Sequence, residues 1–210
     1  ERKTEGWIFG TKLYATYGQN RAAAADAPTE TVAEAAGLQL RADRRFGPRY
    51  STYALAAADA DHVKSVELRS TGELGASVLW VDAGGDSGWK TSLRTDLGFR
   101  IADERRYEYY PADPLVAPHG LDGVTLYAPR AGLAFKHAMS KDVLFSEDAE
   151  VMPNVSGESR VLVNSISKIS TRLSRTLAFG VAFTVNHDSA PASEKVATDT
   201  ALALTLDVLL

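Results

Sequence analysis

Apolar and polar residues alternate along this chain over unusually long stretches. In residues 65–80, one set of alternate positions is apolar or small: Val66, Leu68, Ser70, Gly72, Leu74, Ala76, Val78 and Trp80. The intervening set carries all the charge of the stretch, on Glu67, Arg69 and Glu73. A period of two predicts a β-strand with two chemically different faces. The stretch is also long, since strands usually have about 5–6 residues.

The same alternation recurs along the chain and predicts about ten strands. They cover residues 6–18, 32–43, 50–58, 65–80, 89–102, 124–137, 143–155, 160–172, 177–186 and 201–210. In the third, the apolar set is Tyr53, Leu55 and Ala57. In the seventh, Glu147 falls among the apolar positions. The segment 21–37 has helix formers, but Pro28 favours a loop that runs into a strand.

The predicted connections also alternate in length. Short or turn-rich segments follow the second, fourth, sixth and eighth strands, whereas longer polar segments follow the first, fifth, seventh and ninth, at 19–30, 103–122, 154–159 and 187–196. The short connection at 59–62 breaks this pattern. Tight turns at one end of a meander and loops at the other are typical of outer-membrane barrels.

Soluble sandwiches and lipocalin-like barrels also alternate, with the apolar face turned inward. Three features favour a membrane barrel instead. Strands of this length suit a tilted membrane span of about 9–11 residues, and the polar faces carry both signs of charge. Aromatic residues also fall near strand ends, where membrane barrels have girdles: Trp7, Tyr17, Trp80, Trp89, Tyr107 and Tyr127.

The sequence therefore predicts an all-β fold: one domain, residues 1–210, forming a closed antiparallel up-and-down transmembrane β-barrel of about ten strands, with twelve as an alternative. The predicted lumen-facing charged residues are Lys12, Arg41, Asp43, Glu67, Arg69, Glu73, Lys90, Arg94, Asp96, Arg100, Arg130, Lys136 and Asp207. The predicted lipid-facing residues are Trp7, Phe9, Leu68, Leu74, Val78, Trp80, Leu93, Leu97, Phe99, Phe179, Val181, Phe183, Leu204, Leu206 and Val208.

Composition narrows the function classes. The chain is 45% hydrophobic and 24% charged, unlike a disordered chain. A formal net charge of −4 and the lack of a large basic patch argue against a nucleic-acid partner. The chain has no cysteine, which excludes disulfides and thiol catalysis. It has no apolar run of about 18 residues that would predict a membrane-spanning helix, and its first residues, ERKTEGW, are typical of a trimmed amino terminus.

The sequence offers few residues for chemistry. No histidine among His62, His119, His137 and His187 has a partner at metal-ligand spacing. The adjacent residues 186–189, NHDS, cannot form a catalytic triad with one another. The segment 82–88, DAGGDSG, indicates a tight turn rather than a calcium loop. Tyr107, Tyr109 and Tyr110 indicate a girdle or packed loop more than a glycan site. We expect no catalytic residue, cofactor or metal.

The chain resembles the YdiY-like family of salt-induced bacterial outer-membrane proteins, a domain-of-unknown-function family. The resemblance covers nearly the whole chain and rests on residues 61–80, 89–100 and the tail from 173 to 210. Residues 202–210 also resemble the C-terminal sorting pattern of outer-membrane barrels, although Leu210 stands where an aromatic residue is usual. The resemblance implies an outer-membrane location, a lipid bilayer environment and assembly by the barrel-assembly machinery.

Two classes of function follow from these patterns. The first is a small, non-enzymatic envelope barrel with a structural or narrow-channel role, because charged side chains would largely fill the interior of a barrel of about ten strands. The second is an outer-membrane enzyme of protease or lipase type with an active site at the rim. A soluble, lipocalin-like binding barrel is a third interpretation.

Overall fold

A computed structural model of the protein describes residues 2–4, 6–21, 29–84, 90–111, 113, 115–157, 159–192 and 195–208. Trp89, Leu210 and residues 85–88 of the predicted turn lie outside this part of the chain. The side chains of Asp207 and Val208 also lie outside it. The strands are β1 (Arg2–Lys3), β2 (Trp7–Arg21), β3 (Thr29–Arg45), β4 (Tyr50–Asp61), β5 (Val66–Gly84), β6 (Lys90–Glu108), β7 (His119–Ala138), β8 (Val143–Pro153), β9 (Val161–Arg172), β10 (Leu177–Asp188) and β11 (Thr198–Val208).

All eleven strands form one sheet in sequence order, from β1 to β11. Every neighbouring pair is antiparallel, so the chain meanders up and down. Because β1 has only two residues, the sheet consists of ten long strands, and the predicted strand count is confirmed. The sheet curls into a half-barrel. Within the described residues no ladder joins β11 to β1 or β2. No helix in the described part of the chain is long and apolar enough to cross a membrane.

Connections of different character gather at the two ends of the sheet. The β3–β4, β5–β6, β7–β8 and β9–β10 connections lie at one end, which we call the turn end. The β4–β5, β6–β7, β8–β9 and β10–β11 connections lie at the opposite end, which we call the loop end. The β4–β5 connection is short although it lies at the loop end. It places Ser65 at φ 60°, an uncommon backbone conformation for a residue other than glycine.

The two faces of the sheet follow from the register. Arg41 of β3, Glu73 of β5 and Asp96 of β6 share one face, and side chains on this face meet across several strands. Such contacts require this face to be concave, and we call it the inner face. The opposite, outer face is convex and carries most of the exposed large apolar residues, such as Leu97 at 68% exposure and Leu204 at 74%.

Three expectations about the alternation are wrong at particular places. A β-bulge between Val66 and Leu68 breaks the period, so Val66 is buried rather than grouped with the outward residues. Tyr53, Leu55 and Ala57 lie on the inner face, because both faces of β4 are apolar and the register with β3 and β5 decides which face turns inward.

The third correction concerns residues 103–122, predicted as a loop. The structure extends β6 to Glu108 and begins β7 at His119. A bulge between Glu104 and Arg106 interrupts the alternation there, and this hides the strand from a period-two pattern.

Candidate functional site

The inner face brings most of the predicted lumen-facing charges into ion pairs. These are Arg41, Asp43, Arg69, Glu73, Arg94, Asp96, Arg100 and Arg130. Other members of the predicted set lie apart from this group. Lys12 and Lys136 occupy inward positions but are exposed, and Lys90 pairs with Asp82 near the turn end. Glu67 lies in the β5 bulge, where its side chain is exposed.

Arg41 and Asp96 form the centre of one group of charges. Arg41 Nη1 donates to Asp96 Oδ2 at 2.9 Å, across the two strands that separate β3 from β6. The same guanidinium bonds both carboxylate oxygens of Asp43 through Nε, and its Nη2 donates to Ser77 Oγ at 2.9 Å. Asp96 also lies 3.1 Å from Nε of Arg94. Since Asp43, Ser77 and Asp96 are buried, these charge-assisted bonds offset the cost of removing the charges from water.

Tyr53 links this group to the next strands. Its ring lies under the Arg41 guanidinium, 3.8 Å from the ring centroid to Cζ, a close cation–π contact. The ring crosses Gly75 and Gly98, where an added Cβ would lie 2.6 and 2.5 Å from the Tyr53 hydroxyl oxygen. Tyr53 Oη donates to Glu73 Oε1 at 2.5 Å. Glycine at the two inward positions therefore makes room for a tyrosine that reaches across the inner face.

A second set of charges continues the network toward β8. Glu73 accepts from Arg100 Nε at 2.6 Å and lies 3.3 Å from Arg130 Nη1. Arg130 Nε donates to Glu150 Oε2 at 2.5 Å, and Asn164 of β9 donates to Glu150 Oε1 at 2.8 Å. The groups around Arg41, Tyr53 and Glu73 thus connect every strand from β3 to β9. We call them the middle network.

A separate loop-end network surrounds Glu104, which is 1% exposed. Arg69 donates to Glu104 Oε2 through Nε at 2.9 Å and Nη2 at 2.6 Å, and Arg106 Nε donates to Oε1 at 2.6 Å. Arg160, from the β8–β9 connection, lies 3.6 Å from Glu104 and forms a bidentate pair with Asp188 at the end of β10. Burial lowers the pKa of Arg160, but the bonds to Asp188 and the Glu104 charge more than offset it and raise the pKa above its ordinary value.

Further contacts cross the loop end. Lys195 Nζ, from the β10–β11 connection, donates to Glu108 Oε1 at 2.8 Å, and Ser65 Oγ donates to Glu108 Oε2 at 2.8 Å. Lys64 Nζ lies 2.9 Å from Asp199 Oδ2. A residue of β11 and a residue of the β10–β11 connection therefore meet the β4–β5 connection and β6 across the inner face.

An aromatic group lies at the same rim. Tyr109 stacks on His62 with 4.1 Å between ring centroids, and Tyr107 lies 4.7 Å from Tyr109. Tyr110 donates its hydroxyl proton to Glu34, and this bond raises the pKa of Tyr110. Tyr107, Tyr109 and His62 thus pack together at this rim, and Tyr110 is linked to them through Glu34, which lies 3.4 Å from His62.

The histidines have simple hydrogen-bond partners. His62 Nδ1 lies 3.4 Å from Glu34 Oε1. The Nδ1 atoms of the others contact the Thr91 hydroxyl (His137, 2.8 Å), the Thr198 hydroxyl (His187, 2.8 Å) and the Ala117 carbonyl (His119, 3.1 Å). Ser65, the serine closest in sequence to His62, is fully buried and its hydroxyl is bonded to Glu108. Among the residues described, no group of three or more His, Cys, Asp or Glu could hold a metal ion.

The outer face carries the described members of the predicted lipid-facing set. By register they are Trp7, Phe9, Leu68, Leu74, Val78, Leu93, Leu97, Phe99, Phe179, Val181, Phe183, Leu204 and Leu206. Trp80 lies in a β-bulge between Leu79 and Val81, and its indole N–H donates to the outward Thr95 hydroxyl at 2.8 Å, so it also belongs to the outer face. On β6 and β7 the outward residues form bands nine residues long, at 93–101 and 127–135. Asp103 follows the first band and His137 the second. On β10 a band of the same length, 177–185, precedes His187.

The structure adds residues that the sequence pattern did not identify. Glu150 occupies an inward position on β8 and could have been assigned from its phase relative to Asp148. Glu104 and Glu108 lie beyond a bulge, and Arg160 lies in a connection, so no periodic signal marks them. Tyr53 carried no charge to distinguish it, although it lies at the centre of the middle network.

Comparison with known proteins gives one match. The model of a family described as "Protein of unknown function, DUF481" covers residues 1–208. No curated protein and no solved structure matches the chain. The predicted attribution to a family of unknown function is confirmed, while the attribution to salt-induced outer-membrane proteins stays a prediction. Because the family model spans nearly the whole chain and its one meandering sheet, this protein belongs to the DUF481 family of proteins of unknown function.

Proposed function

We propose that this protein is a small, non-enzymatic β-barrel of the bacterial outer membrane, with a structural or narrow-channel role. Its ten long strands span the bilayer, its outer face contacts lipid, and its inner face forms a lumen largely filled by charged side chains. The barrel-assembly machinery inserts it. The lipid bilayer is its main environment.

The observation that carries this proposal is the contrast between the two faces of one sheet. The inner face buries carboxylates and guanidiniums in mutual ion pairs, and the outer face exposes large apolar residues. A soluble barrel has the reverse arrangement, with apolar side chains inside. The nine-residue outward bands on β6, β7 and β10 also match the length of a tilted membrane strand, about 9–11 residues.

The proposal includes closure of the sheet between β2 and β11. Ten long strands are an even number, so β2 and β11 run in opposite directions and can form an antiparallel ladder. Both strands carry outward leucines, Leu13 on β2 and Leu202 and Leu204 on β11. Closure would pair the backbone groups of both edges, which hydrocarbon could not otherwise satisfy.

The role follows from the filled interior. The middle network extends from Arg41 on β3 to Asn164 on β9, and the loop-end network ties Arg160 to Glu104. Charges of both signs satisfy one another across this space. Such an interior suits a mechanical or packing role, or slow passage of small solutes, better than an open pore.

Membrane residence can be tested by extraction and electrophoresis. We expect the protein to remain with membranes until detergent is added, and to migrate faster on SDS gels unheated than boiled, because a closed ring of hydrogen bonds resists SDS. A protein that is monomeric and soluble without detergent would refute the proposal. Boiled and unheated samples of one preparation serve as each other's control.

A further inference from the structure

A small cleft lies at the turn end, where the β7–β8 connection meets the end of β9. Its volume is about 220 Å³. The backbone N–H of Arg172 donates to the Asp142 carbonyl at 2.7 Å, which holds the connection against the end of β9. Leu144 and Ser170 line the cleft, pair with each other in register and lie at inward positions. The cleft therefore lies on the inner-face side of the sheet.

Four side chains that can donate hydrogen bonds line this cleft: Ser140, Lys141, Ser170 and Arg172. Ser140 Oγ accepts from the backbone N–H of Asp142 at 3.3 Å and of Val143 at 3.1 Å, which fixes the hydroxyl and leaves its proton to be donated. Among the residues that the structure describes, no acceptor receives a proton from any of the four side chains. The cleft therefore offers donors and two positive charges without a partner in the described chain.

One carboxylate opposes these two positive charges. Asp142 lines the same cleft, and within the described residues it forms no ion pair with Lys141 or Arg172. Arg175 of the β9–β10 connection and Arg49 of the β3–β4 connection add positive charge at the turn end. The cleft thus has a net positive charge and lies at an end of the sheet whose potential favours anions.

We propose that this cleft binds a small, soluble oxyanion of the phosphate class. A guanidinium and an ammonium suit phosphate oxygens, and serine hydroxyls can donate to the oxygens that remain. The volume is below the range of about 300–1,000 Å³ that is typical of pockets for drug-sized ligands, so the space fits a small anion. The inner-face position favours a soluble anion over a phospholipid headgroup, because the acyl chains of a lipid would contact the outer face. The site goes beyond the proposed envelope role and does not depend on membrane residence.

Calorimetric titration with inorganic phosphate tests the site. The full chain is used in detergent micelles, or in buffer alone if it needs no detergent, and sodium chloride keeps the ionic strength constant, so screening of surface charge does not change. The test variant is R172Q. Its matched control is R175Q, because Arg175 lies in the connection that directly follows Arg172 and does not line the cleft. A parallel titration uses mixed micelles that contain phosphatidylglycerol.

We expect the wild-type chain to bind phosphate and R172Q to bind it about tenfold more weakly, because a charge-assisted hydrogen bond is lost. R175Q should change the affinity by less than about twofold, because salt screens a charge outside the cleft. D142N should bind phosphate severalfold more tightly, since it removes the opposing carboxylate. A misfolded chain would not bind more tightly, so this gain distinguishes a binding site from a folding defect.

Three outcomes would overturn the proposal. If the wild-type chain binds no phosphate, the four donors are merely solvated. If R172Q and R175Q weaken binding equally, diffuse surface charge attracts the anion and the cleft is not a site. If phosphatidylglycerol binds in an Arg172-dependent way and inorganic phosphate does not, the ligand is a lipid headgroup rather than a soluble anion. None of these outcomes bears on membrane residence, which the extraction experiment tests separately.

Discussion

Nη1 of Arg41 on β3 lies 2.9 Å from Oδ2 of Asp96 on β6, although the strands β4 and β5 lie between β3 and β6 in the sheet. In a flat sheet those strands would be about 14 Å apart, at about 4.8 Å per strand. The contact therefore requires strong curling of the sheet at β4 and β5. Tyr53 and Ser77 contact Arg41 beneath this pair. The curvature of the sheet and the Arg41–Asp96 ion pair therefore depend on each other.

Removing the Asp96 carboxylate should destabilise the protein strongly. The D96A variant removes the carboxylate that pairs with Arg41, and breaking a buried ion pair typically costs about 3–5 kcal/mol. The more exposed Arg94 loses the same partner. Urea unfolding of the protein folded into detergent or vesicles measures the loss. The D82A variant is the control, because Asp82 and Lys90 form an exposed pair that should contribute less than about 1 kcal/mol. Equal losses in the two variants would contradict the assigned role of the middle network.

Arginine should be tolerated differently on the two faces. Leu97 lies outward and is 68% exposed, so L97R should cost about 2–4 kcal/mol near the bilayer midplane. Thr71 lies inward on β5, half-buried and next in phase to Glu73, so T71R should cost less. Ser77 also lies inward, but it is a poor position for the inward arginine substitution, because it is buried against Arg41. Folding yields in vesicles compare the variants. A penalty at Thr71 as large as that at Leu97 would contradict the assignment of the faces.

The wild-type protein should carry little steady current in a planar bilayer. The Arg130–Glu150 and Arg100–Glu73 pairs each join neighbouring strands on the inner face, so these charges neutralise one another inside the proposed lumen. Removing two of these side chains, as in R100S combined with R130S, should raise the conductance, because space and unpaired carboxylates are both created. Large open channels from the wild-type chain would mean that the interior is not filled. Bilayers that receive detergent alone are the control.

Closure between β2 and β11 should give an alternating cross-linking pattern. Thr16 on β2 lies inward by register, as do Ala201 and Ala203 on β11, whereas Leu202 lies outward. Cysteine at Thr16 should therefore form a disulfide with cysteine at Ala201, at Ala203 or at the next inward position, and not with cysteine at Leu202. Mass spectrometry of oxidised protein in vesicles identifies the links. No disulfide at any inward position would contradict closure at this seam.

Two glycines of β5 should respond differently to alanine. At Gly75, an added Cβ would lie 2.5 Å from the Leu97 carbonyl oxygen and 2.6 Å from the Tyr53 hydroxyl oxygen, so G75A should cost about 1–3 kcal/mol. At Gly72, on the outer face, nothing lies within 4 Å, and G72A should be neutral or stabilising. Unfolding free energies of the two variants make the comparison. A neutral G75A would mean that Tyr53 does not lie over this glycine in the folded protein.

The sequence alone determined the ten-strand meander, because a period of two over 12 to 16 residues fits no other secondary structure. It also identified residues such as Arg41, Asp96 and Arg130 as one face, since every second residue of a strand points the same way. The alternation failed at Val66 and beyond Glu104, where single bulges shift the phase. It also failed at Tyr53, where both faces of β4 are apolar.

Only the tertiary structure decided which charges meet. The partners Arg41 and Asp96 are 55 positions apart in sequence, and their contact depends on how far the sheet curls, which no local pattern encodes. The same holds for Arg160 and Asp188, which a connection and a strand end bring together. Glu147 shows most clearly what the sequence determined and what the folded sheet decided. Its position among apolar residues was visible in the sequence, but its two serine partners, Ser165 and Ser167, come from the neighbouring strand, and strand register is a property of the folded sheet.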